Sequence, residues 1–195
     1  ALGADKCEIY TDVDGVFTAD PRIVPKARKI DALSSEETLE LAASGAKVLH
    51  IRAVEYARRQ GVTLVVRSSF TNDPGTIVYH PDRAEEFPVE EATIAGVAHD
   101  LSQAKITVVG VPDVPGSAAA IFGLVAEQGA NIDMIVQNVQ TQNDGVTDIS
   151  FTLPKAYADA VTRAIEGAHE RLGYEQLRLD DQIGKVSLVG AGMRS

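Results

Sequence analysis

Residues 105–179 carry the pattern that most restricts the fold of this chain. The apolar segment that begins at Lys105 precedes a helical stretch with Pro115 at its start and Gly129 at its end. Two more strand-like segments, NIDMIVQNV and VTDISFTL, are separated by a turn-forming Asn-Asp-Gly, and a second helical stretch and the segment YEQLRL follow. This β-α-β-β-α-β order predicts a ferredoxin-like module.

The N-terminal part of the chain predicts a different, parallel α/β unit. Residues 6–11 indicate a buried strand, and residues 62–69 form a β-branched segment that is too apolar to be half exposed. Between them, Ser34 and Glu37 have capping-box spacing, and a second helix is predicted over residues 46–61, ended by its last glycine. The apolar faces expected of the two helices are Leu39, Ala42 and Ala43 in the first, and Leu49, Ala53 and Tyr56 in the second.

A proline-rich, acidic stretch separates the two parts. Residues 70–92 predict a linker region with a short strand at 75–79, and residues 93–100 are a candidate partner strand for 104–111. The segment GKVSLVGAGM begins as AKITVVGVPD does, which suggests the first strand of a second copy of the module. Both ends look cut, so we expect a part of a longer protein. The predicted domains are residues 1–78, a linker at 79–92, a module at 93–182 and the start of another at 183–195.

The composition restricts the function as well. The chain has 195 residues, of which 45% are hydrophobic and 24% charged, as in soluble globular proteins. Its net charge of −10 argues against a general nucleic-acid surface. No apolar run approaches the roughly 20 residues of a membrane-spanning helix. The single Cys7 fits a reducing cytosol, and the four scattered histidines have no metal-ligand spacing, so no metal site is predicted.

The segment TDVDGVF, residues 11–17, has the most specific local pattern. An apolar strand that ends in Asp-x-Asp-Gly is how phosphatases of the haloacid dehalogenase type present two catalytic aspartates, here Asp12 and Asp14. That hypothesis also needs a Ser or Thr after a later strand, a Lys, and a late acidic pair for Mg²⁺. The available candidates fall on both sides of the predicted domain boundary, which disfavours the hypothesis; they are Ser68 or Ser69, Lys105, and Asp180 with Asp181.

Longer motifs around this segment resemble a known family. CEIYTDVDGVFTADPRIVPKARKI, SSEETLELAASGAKVLHIRAVEYA and VVRSSFTNDPGT resemble the C-terminal part of the catalytic domain of aspartate kinase, an α/β fold of the amino-acid kinase family. VPDVPGSAAAIFG, NIDMIVQNV and DGVTDISFT resemble the first regulatory ACT domain of that family, and DDQIGKVSLVGAGM resembles the entry to its second ACT domain. The resemblance covers essentially the whole chain, and it is strongest to the type that lysine and threonine inhibit.

The resemblance implies an ATP site in the first part of the chain, with Mg²⁺ accompanying ATP. The implied ATP-binding residues are Thr11, Asp12, Phe17, Arg22, Lys47 and Val48. Asp12 would lie near the ribose or adenine, Phe17 stands where the family usually has Tyr, and Arg22 would reach phosphate oxygens. Lys47 would add its charge from the start of a helix. Singly, Asp14-Gly15 and Asp20-Pro21-Arg22 are more often plain turns; their joint occurrence favours a nucleotide site.

The second part has features that suit an amino-acid sensor. Backbone N–H groups at the helix start, from Gly116 to Ala118, can hold a carboxylate, and Asp113 can hold an ammonium group. From the residues alone, a plain helix-entry turn is equally supported. With the ACT resemblance, the implied effector-binding residues are Asp113, Val114, Pro115, Gly116, Ser117, Ala118, Asn131, Ile132, Asp133 and Gln137, the last four presented across an interface. Substitutions at Ala118, Gln140 or Ser150 are expected to weaken inhibition more than folding.

The resemblance implies that the parent protein converts L-aspartate and ATP to 4-phospho-L-aspartate and ADP in the cytoplasm, the first step of lysine, threonine and methionine biosynthesis. Threonine and/or lysine would be the feedback effectors, and ACT domains would join homo- or hetero-oligomers. The family's Lys-Phe-Gly-Gly-Thr segment does not occur here. No catalytic residue is therefore assigned, and the segment alone is expected to be inactive. The alternatives are a stand-alone ACT-type amino-acid-binding module and, less favoured, the phosphatase.

Overall fold

A computed structural model of the chain describes residues 3–87, 94–139 and 145–190. The chain divides into two compact units, residues 1–100 with 186–195, and residues 101–185. The domain limits predicted from the sequence, such as the end of the first domain at residue 78, refer to family domains. These limits stay predictions. By compactness, residues up to Asp100 belong with the first unit.

The first unit contains a four-stranded sheet in the order β1-β3-β4-β2. Its strands are β1 (Lys6–Thr11), β2 (Ala32–Ser34), β3 (Thr63–Ser68) and β4 (Thr76–Tyr79). β1 pairs in parallel with β3, from Lys6 opposite Thr63 to Thr11 opposite Ser68, which confirms the parallel α/β unit. The short strand expected at residues 75–79 is confirmed as β4, which is antiparallel to β3. β2, which is parallel to β4, was not predicted.

The first strand is less buried than the sequence suggested. β1 has the predicted bounds, but Lys6, Cys7 and Tyr10 are exposed, because β1 lies at one end of this sheet. β3 is mostly buried, as predicted, since it lies between two other strands.

Two helices follow β2, and only the first begins with the N-cap that the sequence predicts. α1 is Ser35–Ala43, and its capping box is confirmed: Ser34 Oγ accepts from the Glu37 N–H at 3.2 Å, and the Glu37 carboxylate accepts from the Ser34 N–H at 3.0 Å. α2 is Ile51–Arg59, shorter than the predicted residues 46–61. It begins late because His50 Nδ1 accepts from the backbone N–H two residues on and acts as the N-cap. Gly61, with φ of +64°, follows the helix end as predicted.

The predicted apolar faces of these helices are correct only in part: Leu49 is buried and Leu39 packs against the same apolar cluster, whereas Ala53 is exposed. α1 buries Thr38 and Leu41, and α2 buries Val54 and Ala57, whereas Tyr56 is 72% exposed. Thr38 can be buried because its hydroxyl donates to the Ser34 carbonyl oxygen of its own helix at 2.8 Å. A count of apolar residues cannot detect a polar side chain that satisfies its hydrogen bond locally.

Two more strands and a short 3₁₀ helix complete the described part of the first unit. β5 (Gly96–Asp100) pairs with β10 (Lys185–Val189), so the expected pairing of residues 93–100 with 104–111 is wrong. Ala98 and Val189 share a buried cluster with Leu41, and this packing determines the partner of β5. The strand expected near residue 185 exists, while its assignment to a second module stays a prediction. The 3₁₀ helix is Pro81–Glu86.

The second unit has the predicted ferredoxin-like topology. Its elements are β6 (Gln103–Pro112), α3 (Ser117–Glu127), β7 (Ile135–Val139), β8 (Val146–Pro154), α4 (Lys155–Gly167), α5 (His169–Leu172) and β9 (Gln176–Asp180). The sheet order is β7-β8-β6-β9, and all neighbours are antiparallel.

One apolar core fills the space between this sheet and its helices. Its largest fully buried side chains include Ile106 from β6, Ile121 from α3, Phe151 from β8 and Ile165 from α4. Phe122 packs edge-on against Phe151, with 5.6 Å between ring centroids. Among the helices of the described residues, none combines the length and hydrophobicity needed to cross a bilayer.

Candidate functional site

A closed loop of the first unit carries Phe17 and Arg22, two of the predicted nucleotide-binding residues. Its two arms, residues 16–18 and 28–30, are joined by backbone hydrogen bonds of 2.8 and 2.9 Å. Phe17 lies opposite Lys29 in a single antiparallel bridge. We refer to this segment as loop 16–30. These bonds fix the base of the loop. Arg22 lies between the two arms, at the tip of the loop, and is exposed.

One buried hydroxyl fastens the base of loop 16–30 to β4. Thr76 is fully buried, and its Oγ1 accepts from the Val16 N–H at 2.8 Å and donates to the Ile30 carbonyl oxygen at 2.6 Å. Gly15, just before the loop, has φ of +142°, and a Cβ there would lie 2.5 Å from Thr76 Oγ1. Both arms are therefore held by the same side chain, and the close approach requires glycine.

The tip of loop 16–30 presents an arginine that is held on one side only. Arg22 Nε and one η nitrogen donate to the Asp20 carboxylate at 3.0 and 2.8 Å, and the Arg22 backbone N–H donates to it at 2.9 Å. These bonds lower the pKa of Asp20 to about 2. Asp20 and, more weakly, Asp12 raise the pKa of Arg22. The Arg22 side chain is 87% exposed, so a charged guanidinium oriented by Asp20 remains accessible to an anion.

Thr11 and Asp12 lie where β1 ends and the chain turns towards this loop. Thr11 is half-buried and donates its hydroxyl to Asp12 Oδ1 at 3.0 Å, while Asp12 is exposed. Asp14 has a different partner, because its Oδ1 accepts from the Thr71 hydroxyl at 3.0 Å. The two carboxylates of Asp-x-Asp-Gly therefore have separate structural roles, and Asp14 links the start of the loop to the segment after β3.

The phosphatase hypothesis gains nothing from this geometry. Its Lys and late acidic candidates, Lys105 and Asp180, face each other across β6 and β9 in the second compact unit, whereas Asp12 belongs to the first. The buried Ser68 hydroxyl accepts from the Phe70 N–H at 3.1 Å. Within residues 3–87, 94–139 and 145–190, no group of three His, Cys, Asp or Glu side chains is arranged to hold a metal ion.

Lys47 and Val48 lie in a turn between α1 and α2. The sequence suggested the start of a helix here, and that prediction is wrong. Lys47 is exposed. Val48 is half-buried and packs against both apolar clusters of the first unit, so its side chain has a structural role. The predicted nucleotide contact of these two residues therefore depends on the exposed cation of Lys47, which a turn carries.

The strand β5 contacts both the turn at Lys47 and loop 16–30. Gly45, with φ of +116°, lies so close to β5 that a Cβ would be 2.4 Å from the His99 carbonyl oxygen. The Val97 N–H of β5 donates to the Thr18 carbonyl oxygen at 2.7 Å. His99 also contributes to lowering the pKa of Asp20, although less than Arg22 does. β5 therefore joins the two segments that carry the predicted cations.

In the second unit, the predicted carboxylate-binding residues surround the start of α3. Gly116, with φ of +100°, is the N-cap residue of α3, and it makes no side-chain hydrogen bond to the helix. The Ser117 N–H donates to the Val114 carbonyl oxygen at 3.2 Å, but the other first N–H groups of a helix lack intrahelical acceptors, so this end remains suited to an anion. Asp113 is exposed beside it, and its N–H donates to the Gly145 carbonyl oxygen at 2.8 Å. Ser117 and Ala118 are half-buried.

Three of the other predicted effector residues, Asn131, Ile132 and Asp133, lie towards the opposite end of the sheet. The Asp133 N–H donates to the Thr152 carbonyl oxygen at 3.1 Å, whereas Asp113 bonds at Gly145. These two points lie roughly 20 Å apart along β8, at about 3.3 Å per residue. Gln137 lies between them, paired with Ile149. Within one copy of the chain, a free amino acid cannot contact both groups at once.

Asp133 already has a cationic partner that the sequence did not indicate. Lys185 Nζ lies 2.6 Å from Asp133 Oδ2, and the two side chains are 30% and 45% exposed. Lys185 is the last residue of the second unit and the first residue of β10. Asn131 is exposed and Ile132 is half-buried, with Ile132 packed against the core.

The sequence also missed residues that organise the candidate nucleotide site. Thr76 was not singled out, and the contacts of Gly45 and β5 with this site were not predicted, because nothing in the local sequence indicates a partner so distant along the chain. An open depression of about 960 Å³ lies elsewhere, along α4 and α5, and contains none of the predicted site residues. Gln140 lies outside the described residues.

Two protein-family models match separate parts of the chain. The amino acid kinase family model matches residues 1–68, and an ACT domain model matches residues 106–168. The two matches fall within the first and second compact units respectively. They confirm the expected combination of an amino-acid kinase segment and an ACT domain.

Named relatives match the chain over nearly its whole length. The aspartokinase of Mycolicibacterium smegmatis is 56% identical over all 195 residues, which span 46% of that protein. The structure of E. coli aspartokinase III in complex with aspartate and ADP (R-state) is similar over 97% of this chain and 41% of its own, with 26% identity and a TM-score of 0.73. Its complex with lysine and aspartate (T-state) has 27% identity and a TM-score of 0.70, covering 97% and 40%. The chain thus spans about half the length of the curated relatives it matches.

Proposed function

The chain is homologous to aspartokinases along its whole length, and from that premise we propose that it forms the nucleotide-closing and first regulatory parts of an aspartate kinase. The parent enzyme transfers the γ-phosphoryl group of ATP to the side-chain carboxylate of L-aspartate, which yields 4-phospho-L-aspartate and ADP. ATP enters as its Mg²⁺ complex, a substrate. This reaction is the first step of lysine, threonine and methionine biosynthesis, and its place is the cytoplasm, which the exposed free thiol of Cys7 fits.

The observation that carries this proposal is the exposed, oriented guanidinium of Arg22. Phosphoryl transfer depends on positioning the reactants and on neutralising phosphate charge. Arg22 has its orientation set by Asp20 and leaves most of its surface to solvent, as a phosphate ligand requires. Asp12 acts electrostatically on the same guanidinium, which supports its place in the same site.

The attacking group in this reaction belongs to the substrate aspartate. The residues that bind aspartate are not assigned in this chain, so the segment supplies binding contacts and no catalytic residue. ATP contacts are proposed at Thr11, Asp12, Phe17, Arg22, Lys47 and Val48. We expect the segment by itself to show no kinase activity.

Nucleotide binding to the parent enzyme tests this assignment. Arg22→Ala should weaken ATP binding about tenfold or more, since a charge-assisted hydrogen bond contributes about 1.5–3 kcal/mol. Arg58→Ala is the matched control, because Arg58 is an exposed arginine of the same unit whose partner is Glu36 on α1. ATP affinity that survives Arg22→Ala unchanged would remove Arg22 from the site.

We further propose that the second unit binds an amino-acid effector, threonine or lysine, and thereby controls the kinase. The uncapped start of α3 suits the effector carboxylate, and Asp113 suits its ammonium group. Asn131, Ile132 and Asp133 lie far from that end, and Gln137 lies between, so these residues would serve a site completed by a neighbouring ACT domain. Three exposed apolar residues next to them, Met134 and then Ile135 and Val136 at the start of β7, support such an oligomer.

Titration calorimetry with threonine tests the effector site in the parent enzyme. Asp113→Ala should weaken threonine binding about tenfold, because it removes a charged partner. Asp159→Ala, an exposed carboxylate on α4, is the control. Unchanged affinity in Asp113→Ala would reject the ammonium contact. Threonine binding without any ATP binding would favour the alternative, a stand-alone ACT-type binding module.

A further inference from the structure

We propose that Thr76 is a positioning residue for ATP, which acts by holding both arms of loop 16–30 in the binding conformation. This inference rests on the proposed nucleotide site and deepens it. Thr76 carries no charge and is fully buried, so it cannot contact the nucleotide itself. Any effect on ATP must pass through the loop that it holds.

The hydrogen bonds of Thr76 are distributed in a way that few other residue types could reproduce. A hydroxyl group donates one hydrogen bond and accepts others. Thr76 Oγ1 uses both capacities, since it accepts from the Val16 N–H at 2.8 Å and donates to the Ile30 carbonyl oxygen at 2.6 Å. The two backbone groups belong to opposite arms of the loop. Loss of the hydroxyl therefore removes a hydrogen-bond partner from the Val16 N–H on one arm and from the Ile30 carbonyl oxygen on the other, in a buried part of the fold.

The loop has a second fastening, which differs in exposure. The Thr71 hydroxyl donates to Asp14 Oδ1 at 3.0 Å, and this bond is exposed to solvent. Water can replace an exposed hydrogen bond at little cost, whereas it cannot reach the fully buried Thr76. The position of the loop should therefore depend much more on Thr76 than on Thr71.

The expected consequence is a change in the population of the binding-competent loop. The apparent dissociation constant rises in inverse proportion to the fraction of molecules that hold the competent conformation. The arms carry Phe17, and the tip carries Arg22, so displacement of the base displaces the proposed ring and phosphate contacts together. Aspartate binding, which this segment is not proposed to provide, should be unaffected.

Steady-state kinetics of the parent enzyme test the proposal. Thr76→Val keeps the shape and removes the hydroxyl, and we expect the KM for ATP to rise about tenfold, while the KM for aspartate changes less than about twofold. Thr76→Ser, which keeps the hydroxyl, should restore the wild-type KM for ATP. Thr71→Val should raise it by no more than about twofold.

A matched control separates positioning from general destabilisation. Thr63, the first residue of β3, is also buried, and its hydroxyl accepts from Arg83 Nη1 at 2.8 Å, away from the loop. Thr63→Val should lower thermal stability without changing the KM for ATP. Equal KM values for ATP in Thr76→Val and wild type would overturn the proposal, and so would an equal rise in Thr63→Val.

Two further outcomes are informative. If Thr76→Val does not fold, Thr76→Cys provides a second test, because a thiol fits the site and is a weak hydrogen-bonding group; an unchanged KM for ATP would overturn the proposal. If Arg22→Ala also leaves ATP binding unchanged, the proposed nucleotide site fails, and this inference fails with it. If Arg22→Ala weakens ATP binding and Thr76→Val does not, only the positioning role is rejected.

Discussion

The candidate nucleotide residues of the first unit and the candidate effector residues of the second are organised in opposite ways. In the first unit, loop 16–30 is closed by bonds within the chain, and the Arg22 guanidinium is already oriented by Asp20. In the second, Asp113 and Asp133 are held at sites roughly 20 Å apart along β8. The candidate nucleotide residues are held by contacts within a single chain, whereas the candidate effector residues would need a second surface to form one site.

This difference predicts different responses to substitution. A change that displaces loop 16–30 should act on ATP in every copy of the enzyme, whatever its oligomeric state. A change at β7 should act on effector binding only where a neighbouring domain completes the site. The following predictions test the two halves of that comparison.

The largest expected effect is at Gly15. Gly15→Ala introduces a Cβ that would lie 2.5 Å from Thr76 Oγ1 and 3.2 Å from the Thr76 backbone nitrogen, at a φ of +142°. Strain of about 2 kcal/mol, taken up by displacing the loop, corresponds to about thirtyfold weaker ATP binding. Isothermal titration of the parent enzyme with ATP measures it.

Gly61→Ala is the control for this prediction. Gly61 also has a positive φ, +64°, but a Cβ there meets open space. Its replacement should lower the free energy of unfolding by about 1 kcal/mol and leave ATP binding unchanged. Wild-type ATP affinity in Gly15→Ala would show that the loop base does not determine the site.

A moderate effect is expected at the ion pair between Asp133 and Lys185. If Asp133 of a neighbouring copy binds the effector ammonium group together with Asp113, Lys185, whose Nζ lies 2.6 Å from Asp133 Oδ2, competes with that group. Lys185→Gln should then strengthen threonine binding about threefold, as the loss of a partly exposed pair worth under about 1 kcal/mol allows. Asp133→Asn should weaken it. Calorimetry with threonine on the parent enzyme measures both, and Lys155→Gln on α4 is the control.

The Lys185→Gln and Asp133→Asn variants also test whether the two units differ in how their candidate sites are formed. Should neither variant change threonine affinity, Asp133 lies outside the effector site, and the start of α3 alone would form it. The second unit would then resemble the first in having a site made by one chain.

The smallest effect concerns acid stability at the tip of loop 16–30. The pKa of Asp20 is lowered to about 2 in the folded chain, mainly by hydrogen bonds from Arg22, against about 3.9 in an unfolded chain. A lowered carboxyl pKa stabilises the fold above about pH 4, and this contribution disappears as the pH falls from about 4 to about 2. Asp20→Asn should remove that pH dependence.

The free energy of unfolding, measured at several pH values between 2 and 7, tests the Asp20 prediction, and Asp159→Asn on α4 is the control. If wild type and Asp20→Asn lose stability in parallel through the window from about pH 4 to about pH 2, the Asp20–Arg22 contact does not form in solution as it does in the structure.

Much of the architecture follows from local patterns. The bounds of β1, the capping box of Ser34 and Glu37, the glycine after α2 and the ferredoxin-like order were predictable, because each depends on residues close in sequence. The family motifs likewise indicated the amino acid kinase and ACT segments that the family models match. Loop 16–30 was recognised through its residues, although their contacts were not.

The failures share one cause, which is packing between distant segments. Tyr56 was assigned to a buried face by the spacing of apolar residues, yet it is exposed, and the chain buries Thr38 and Val54. The partner of β5 could not be chosen from its alternation, because a strand pattern specifies a face and not a neighbour.

Residue types and their local order therefore indicate most of the elements, the family and the candidate ligands Asp12, Arg22 and Asp113. The partners of those ligands depend on the folded chain. Thr76 reaches Val16 across 60 residues of sequence, and Lys185 reaches Asp133 across 52. Such contacts form only when sheet pairing brings the segments together, because hydrogen bonds and ion pairs act over a few ångströms and leave no mark in either local sequence.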